Sequence, residues 1–209
     1  MRNKRLTAEQ RREQILRKVK ELCTNKGFAG TTLDEIANAA NVSRALIVQH
    51  FGSKENLYEA LIDYLFCDHP MEKDPAIKAY AERKDDRGVF MAYCEHAYDH
   101  MVAEQTESPL KLVMFSMLEK PDLYTKHFQK RKIKGIEVLE EYVSNRIKDN
   151  VFKSVDPFYV ALAFSSMITQ LLLETSVLKT IRNRDEFLNI TGTMVDLFLN
   201  GLTRERGVL

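Results

Sequence analysis

The chain has 209 residues, 44% of them hydrophobic, enough for one sizeable domain or two small ones with proper cores. Its three cysteines, Cys23, Cys67 and Cys94, are far apart and form no C-x-x-C pair, which excludes a disulfide scaffold or a zinc ribbon and indicates a reduced, cytoplasmic setting. Charge is divided unevenly: residues 1–55 hold 11 Lys and Arg against 6 Asp and Glu, the remainder 20 against 24, so a basic head precedes an acidic body, a distribution suited to attracting phosphate at one end.

The N-terminal run MRNKRLTAEQRR lacks an apolar h-region, so no secretory signal is expected. Thr7 and Gln10 form a capping box that opens a helix with Ile15, Val19 and Leu22 inward, ending near Lys26 and Gly27. Thr32 and Glu35 repeat the box, so a second helix starts at Leu33 and carries Ile36, Ala37 and Ala40 on its inner face. Asn41, tolerant of the left-handed conformation, stops it, and Ser43 caps a third. On that helix Ile47 and Phe51 share one face, and Arg44, Ala45, Val48 and Gln49 another. Ser53 starts a fourth helix, from Lys54 to about Cys67, with Leu57, Leu61 and Tyr64 as its stripe.

Asp68, His69 and Pro70 interrupt the pattern, and Pro75 with the charged stretch 82–87 reads as a polar connection. Helical patterns resume over 88–105, 109–119, 121–149, 156–180 and 185–204, broken at Ser108 and Pro109, Pro121, Asp156 and Pro157, and near Asn183. The chain shows neither strand alternation nor an internal repeat, so an all-α fold is expected. The stretch 158–178, bounded by Phe158 and Leu178, holds a single formal charge, Glu174, and is apolar nearly all round, which predicts burial on several sides. Ser165, Ser166, Thr169, Gln170 and Glu174 are too many polar groups for a lipid-facing span. The last helix carries Phe187, Ile190, Met194, Phe198 and Leu202 at three- and four-residue steps, with Gly192 permitting close approach. These two helices together predict half of an intersubunit four-helix bundle.

A short helix, a tight turn and a second helix with a small or polar outer face is the plan of a helix-turn-helix, whose second helix enters the DNA major groove. The run Gly27, Phe28, Thr32, Ile36, Ala37, Ala40, Val42, Ser43, Ile47, Phe51, Ser53, Lys54, Glu55 and Leu57 closely resembles the N-terminal domain of the TetR family of bacterial transcriptional regulators. The likeness covers about residues 8–68, and the rest resembles the family in length and helical character. It implies a three-helix DNA-binding domain over 1–52 with the helix-turn-helix at about 32–51, a connecting helix over 53–68, and a helical ligand-binding and dimerisation domain over 69–209. It further implies a homodimer formed through the helices 158–178 and 187–202, and a repressor released from a palindromic operator by a small apolar or amphipathic ligand. The alternatives are a helix-turn-helix protein without a small-molecule inducer, and a helical interaction module that has lost DNA binding.

Residue types assign the DNA face. The helix starts at Thr32 and at Ser53 with Lys54 present N–H groups and positive dipole ends to phosphates. Arg44 suits guanine and Gln49 suits adenine. Ser43, Ala45 and Val48 complete the surface, and the resemblance implies a phosphate contact for His50. The family usually carries an aromatic where this chain has Val48, so that backbone contact is replaced by one suited to a thymine methyl. The resemblance also implies a cavity, with Phe90, Tyr93, Met101, Met114, Phe115, Met117, Phe128, Met167 and Glu174 as candidate lining.

His96 and His100, four apart with Glu104 a turn on, have metal-compatible spacing but read as a boundary stripe. The basic run Lys126, Lys130, Arg131, Lys132 and Lys134 reads as a solvated helix face. No nucleophile elbow, phosphate loop or dinucleotide fingerprint is present, so neither an enzyme nor a resident cofactor or metal is expected.

Overall fold

The structure, a computed structural model, describes residues 6–66, 71–103 and 109–204, and of these all side chains but 65–66, 103, 109, 123–124 and 126–133. Every regular element among the described residues is helical, with one isolated bridge between Phe152 and Thr203. Helices α1 (Ala8–Lys26), α2 (Leu33–Ala40), α3 (Arg44–Phe51) and α4 (Lys54–Phe66) begin where the capping residues put them. Both capping boxes close: the Gln10 N–H donates to the Thr7 hydroxyl at 3.2 Å, and the Glu35 N–H donates to Thr32 at the same distance. Asn41 takes φ 53°, ψ 50° and ends α2 in the left-handed region.

The chain divides into two compact units, Met1–Asp68 with Lys111–Phe128, and His69–Leu110 with Gln129–Leu209. The first has a core of Ile15, Leu16, Val19, Phe28, Ile36, Ile47, Phe51, Leu57, Tyr58 and Leu61. It is completed by Leu112 of α7 (Pro109–Glu119). Tyr58 shares a hydrogen bond with Ser116, and burial pushes its hydroxyl up to about 12. The Ala29 N–H donates to Glu119 at 2.9 Å, and a Cβ at Gly27, whose φ is 74°, would collide with that carboxylate. Gly27 is therefore required by its backbone conformation, and any larger residue there would also displace the Glu119 carboxylate.

The second unit is built from α5 (Pro75–Glu82), α6 (Asp86–Tyr98), the later turns of α8 (Pro121–Lys148), α9 (Pro157–Leu173) and α10 (Arg184–Leu202). Helix α5 lies where the sequence suggested a polar connection. Asp74 accepts from the Ala76 and Ile77 N–H groups, Pro75 supplies the first helical residue, and Ile77 reaches the core. The helix expected over 88–105 starts two residues earlier at Asp86, under the Asp85 cap, and passes into a π-turn over Asp99–Ala103. Likewise α9 gives way to a π-turn over Glu174–Leu178. The breaks expected at residues 67–70 and at Ser108 lie outside the described residues.

The core joins Val89, Phe90 and Cys94 of α6 to Leu139 and Val143 of α8, Phe164 and Ile168 of α9, and Phe187 and Val195 of α10. Phe90 meets Phe164 edge-on with ring centres 4.7 Å apart, and Phe198 closes on Phe164 at 5.1 Å. Most of the apolar stripe of α10 faces this core: Phe187 and Leu202 are buried, Met194 and Phe198 pack beside them, and Gly192 sits against Arg87 of the same chain, while Ile190 stays 38% exposed. Helix α9 is likewise buried along one face only. Pro157–Leu178 is long and apolar enough to cross a membrane, yet only 39% of that span is buried, and Tyr159 on its other face is 67% exposed.

Candidate nucleic-acid interface

Helix α3 is short and could not stand alone in water, so its position depends on what grips it. Ile47 and Phe51 are buried in the first unit, and two α1 side chains secure the helix ends nearby. The Arg12 guanidinium donates to the His50 carbonyl at 3.0 Å and lies 4.4 Å over the Phe51 ring. Gln14 donates to the Ala40 carbonyl at 3.2 Å. Both satisfy carbonyls that a helix C-terminus leaves unpaired, and Arg12 adds a cation where the dipole favours one. Sequence reasoning saw α1 as a brace but missed these two residues, because nothing local pairs position 12 with position 50.

The opposite face of α3 is open. Arg44, Ala45, Val48 and Gln49 are exposed together, with His50 half-buried beside them. Ser43 is occupied as a cap, its hydroxyl accepting from the Leu46 N–H at 3.1 Å. Arg44 is paired with Asp34 at 3.2 Å, a solvated contact worth at most about 1 kcal/mol and readily exchanged for another acceptor.

Charge at the start of α2 is more constrained than its cap suggests. Glu35 is held down to about 2 by its hydrogen bond from Lys26, with Thr32 adding to it, so an ionised carboxylate stands beside Thr32. A phosphate there would be repelled if Glu35 and Asp34 stood alone. Lys26, 2.5 Å from Glu35, and Arg44, on Asp34, neutralise the pair. Lys26 is thus a supporting residue that the sequence showed only as the last basic group of α1. Lys54 lies 4.3 Å over the Phe28 ring at the start of α4, which holds its ammonium near that helix N-terminus.

The residues offered as a ligand pocket are divided between the two units. Phe90 and Tyr93 are packed into the core of the second unit, where Tyr93 pairs with Ser165 at 2.8 Å and burial pushes its hydroxyl up to about 12. Met101 and Met167 are half-buried in the same unit. Met114, Phe115 and Met117 belong to the first unit, and the side chain of Phe128 is outside those described. Glu174 accepts from Gln170 at 2.9 Å and from Thr180, closing the π-turn after α9. His96 is engaged by Asp74 at 2.6 Å and lies against His100, the two rings tilted by 59° with centres 4.3 Å apart. Among the described residues no three His, Cys, Asp or Glu side chains are grouped to hold a metal, and Glu104 lies outside them. Of the basic run, only Lys134 has a described side chain, and it is exposed.

An all-α chain that opens with a capped, braced helix-turn-helix and continues into a helical domain is a helix-turn-helix protein of the two-domain kind. Residues 15–61 match the family of bacterial regulatory proteins described as the tetR family. The HTH-type transcriptional activator FasR of Mycolicibacterium smegmatis is 39% identical over 61 residues, 29% of this chain and 28% of FasR. The icaADBC negative transcriptional regulator IcaR of Staphylococcus aureus is 36% identical over 55 residues, 26% of this chain and 30% of IcaR. The chain thus matches less than a third of the length of either relative. Among solved structures, NalD of Pseudomonas aeruginosa, the secondary repressor of the MexAB-OprM efflux pump, is 19% identical with a TM-score of 0.68, covering 96% of this chain and 99% of that one. A TetR-family regulator from Cytophaga hutchinsonii is 16% identical with a TM-score of 0.66, covering 97% and 100%. Their fold is the fold of this chain, and the likeness to tetR-family regulators in sequence lies in its N-terminal segment, residues 15–61.

Proposed function

We propose that the chain is a homodimeric transcriptional regulator that represses by occupying a palindromic operator and leaves it when a small apolar or amphipathic ligand binds. The single observation that carries the DNA-binding part is the open face of α3, held from behind by Ile47, Phe51 and Arg12. Arg44 and Gln49 read bases in this scheme, Ser43, Ala45 and Val48 fill the groove surface, and Thr32, His50 and Lys54 meet phosphates. Repression is favoured by the names of IcaR and NalD, though FasR is named an activator. Dimerisation through α9 and α10 is supported by what those helices leave outward, Tyr159 and Leu197 being 67% and 68% exposed while their other faces fill the core. Two recognition helices related by a two-fold axis would then meet half-sites about 34–36 Å apart or a multiple of that.

A second reading, a DNA-binding regulator with no small-molecule inducer, is favoured by the filling of the core where a ligand was expected: Phe90 is fully buried against Phe164 and Phe198. The first test is a gel shift of the full-length protein on DNA flanking its own gene. A salt-sensitive complex that survives nonspecific competitor and weakens at least about tenfold in Arg44→Ala supports the proposal. Its absence, or unchanged binding by Arg44→Ala, overturns it. Release of that complex by apolar compounds from a screened set separates the first reading from the second.

A further inference from the structure

We propose that the centre of the α3 face recognises thymine C5-methyl groups, with Val48 as the discriminating side chain; this rests on the DNA-binding reading above. At about 100° per residue, the four exposed side chains stand around the helix in the order Arg44, Val48, Ala45, Gln49, across an arc of about 140°. The two hydrogen-bonding residues therefore occupy the rims, and the two in the middle carry only methyl groups. Val48 is 43% exposed, on a helix whose other large apolar residues are buried, as Ile47 and Phe51 are, or half-buried, as Leu46 is.

In the major groove each base pair offers hydrogen-bond donors and acceptors, and the one apolar group on any base edge is the thymine methyl. A valine and an alanine pressed against donors or acceptors would desolvate them without replacement, which costs free energy. Against methyl groups the same surface removes apolar area from water on both sides. The face therefore selects half-sites with thymine opposite Val48 and Ala45, flanked by the guanine and adenine that suit Arg44 and Gln49.

The experiment begins with the full-length protein selecting duplexes from random DNA. In the selected duplex each thymine is then replaced singly by deoxyuridine, which deletes the methyl and keeps the pairing and the hydrogen-bonding edge. One or two positions in each half-site should bind about three- to fivefold more weakly as uracil, the value of one buried methyl. At the position facing Val48 that difference should vanish in Val48→Ala, and it should persist in Arg44→Ala, whose binding is weaker throughout. If wild type binds a selected duplex but no uracil position matters, or the difference survives in Val48→Ala, methyl recognition by Val48 is overturned while DNA binding stands. If no duplex is selected, the DNA-binding reading falls and takes this one with it.

Discussion

In the first unit the side chains that cap the helix starts are close in sequence to what they cap: Thr7 with Gln10, Thr32 with Glu35, Ser43 with Leu46, each three residues apart. The second unit also caps its helices locally, at Asp74, Asp85, Asp156 and Asn183, but it adds a largely buried ion pair between distant residues, whereas the distant buried pair of the first unit, Tyr58 with Ser116, is uncharged. Tyr142 and Arg146 both donate to Asp86, 56 and 60 residues back, and Arg146 also holds Asp149 at 2.9 Å. At the surface, Arg184 also reaches Glu95 and Asp99, and Arg87 reaches Asp196, 109 residues on, but these pairs are solvated and worth little. A local cap orders three residues and can form before the rest of the chain folds. A distant buried pair forms only once the helices are packed, and then it is expensive to break because one charge is left without a partner.

The comparison can be tested by removing one member of each kind. The largest effect should come from Phe164→Ala, which empties the ring cluster of the second unit and should cost about 3–5 kcal/mol by urea unfolding. Arg146→Ala should follow at about 3 kcal/mol, since it leaves the half-buried Asp86 carboxylate without its cation. Replacing both partners with apolar residues, Arg146→Met with Asp86→Leu, should cost less than the single change. Thr32→Ala in the first unit should cost only about 1 kcal/mol, the worth of one cap, and a loss as large as that of Arg146→Ala would erase the contrast between the units.

The smallest effect concerns pH. The Glu35 carboxyl is lowered from its ordinary 4.5 to about 2, so its contribution to the α2 start is complete above 4.5 and disappears as pH falls through about 2. A carboxyl titration by NMR should place Glu35 near 2 and move it up towards 4.5 in Lys26→Met, because Lys26 is the largest cause of the shift. An unchanged midpoint in that variant would mean that the cap, not the ion pair, holds the acid ionised.

The helix-turn-helix was legible almost residue by residue because its signals are short: a hydroxyl with an acid or amide three positions on, an Asn at the stop, a 3.6-residue apolar stripe. Helix α5 was equally legible, since Asp74 followed by Pro75 is a helix start. The charged stretch after it suggests a polar connection instead, although a charged face is what an exposed helix turns outward. The two π-turns carry no comparable sequence mark. The placement of α7 carries none either: Leu112, Ser116 and Glu119 join the first unit by meeting Tyr58 and Ala29 from more than 50 residues away.

By itself, then, the sequence determined the all-helical class, the starts and stops of the first three helices, and the exposed face of α3, with Arg44, Val48 and Gln49 on it. Each of these follows from interactions within a turn or two of chain, whose geometry the backbone dictates. Tertiary structure alone decided that Arg12 and Gln14 clamp the helix ends, that Lys26 neutralises Glu35, that α10 turns its aromatic stripe into its own core, and that the expected pocket residues are divided between two units. Those outcomes depend on which distant surfaces close on one another, and apolar periodicity states only that a face must be covered, not what covers it.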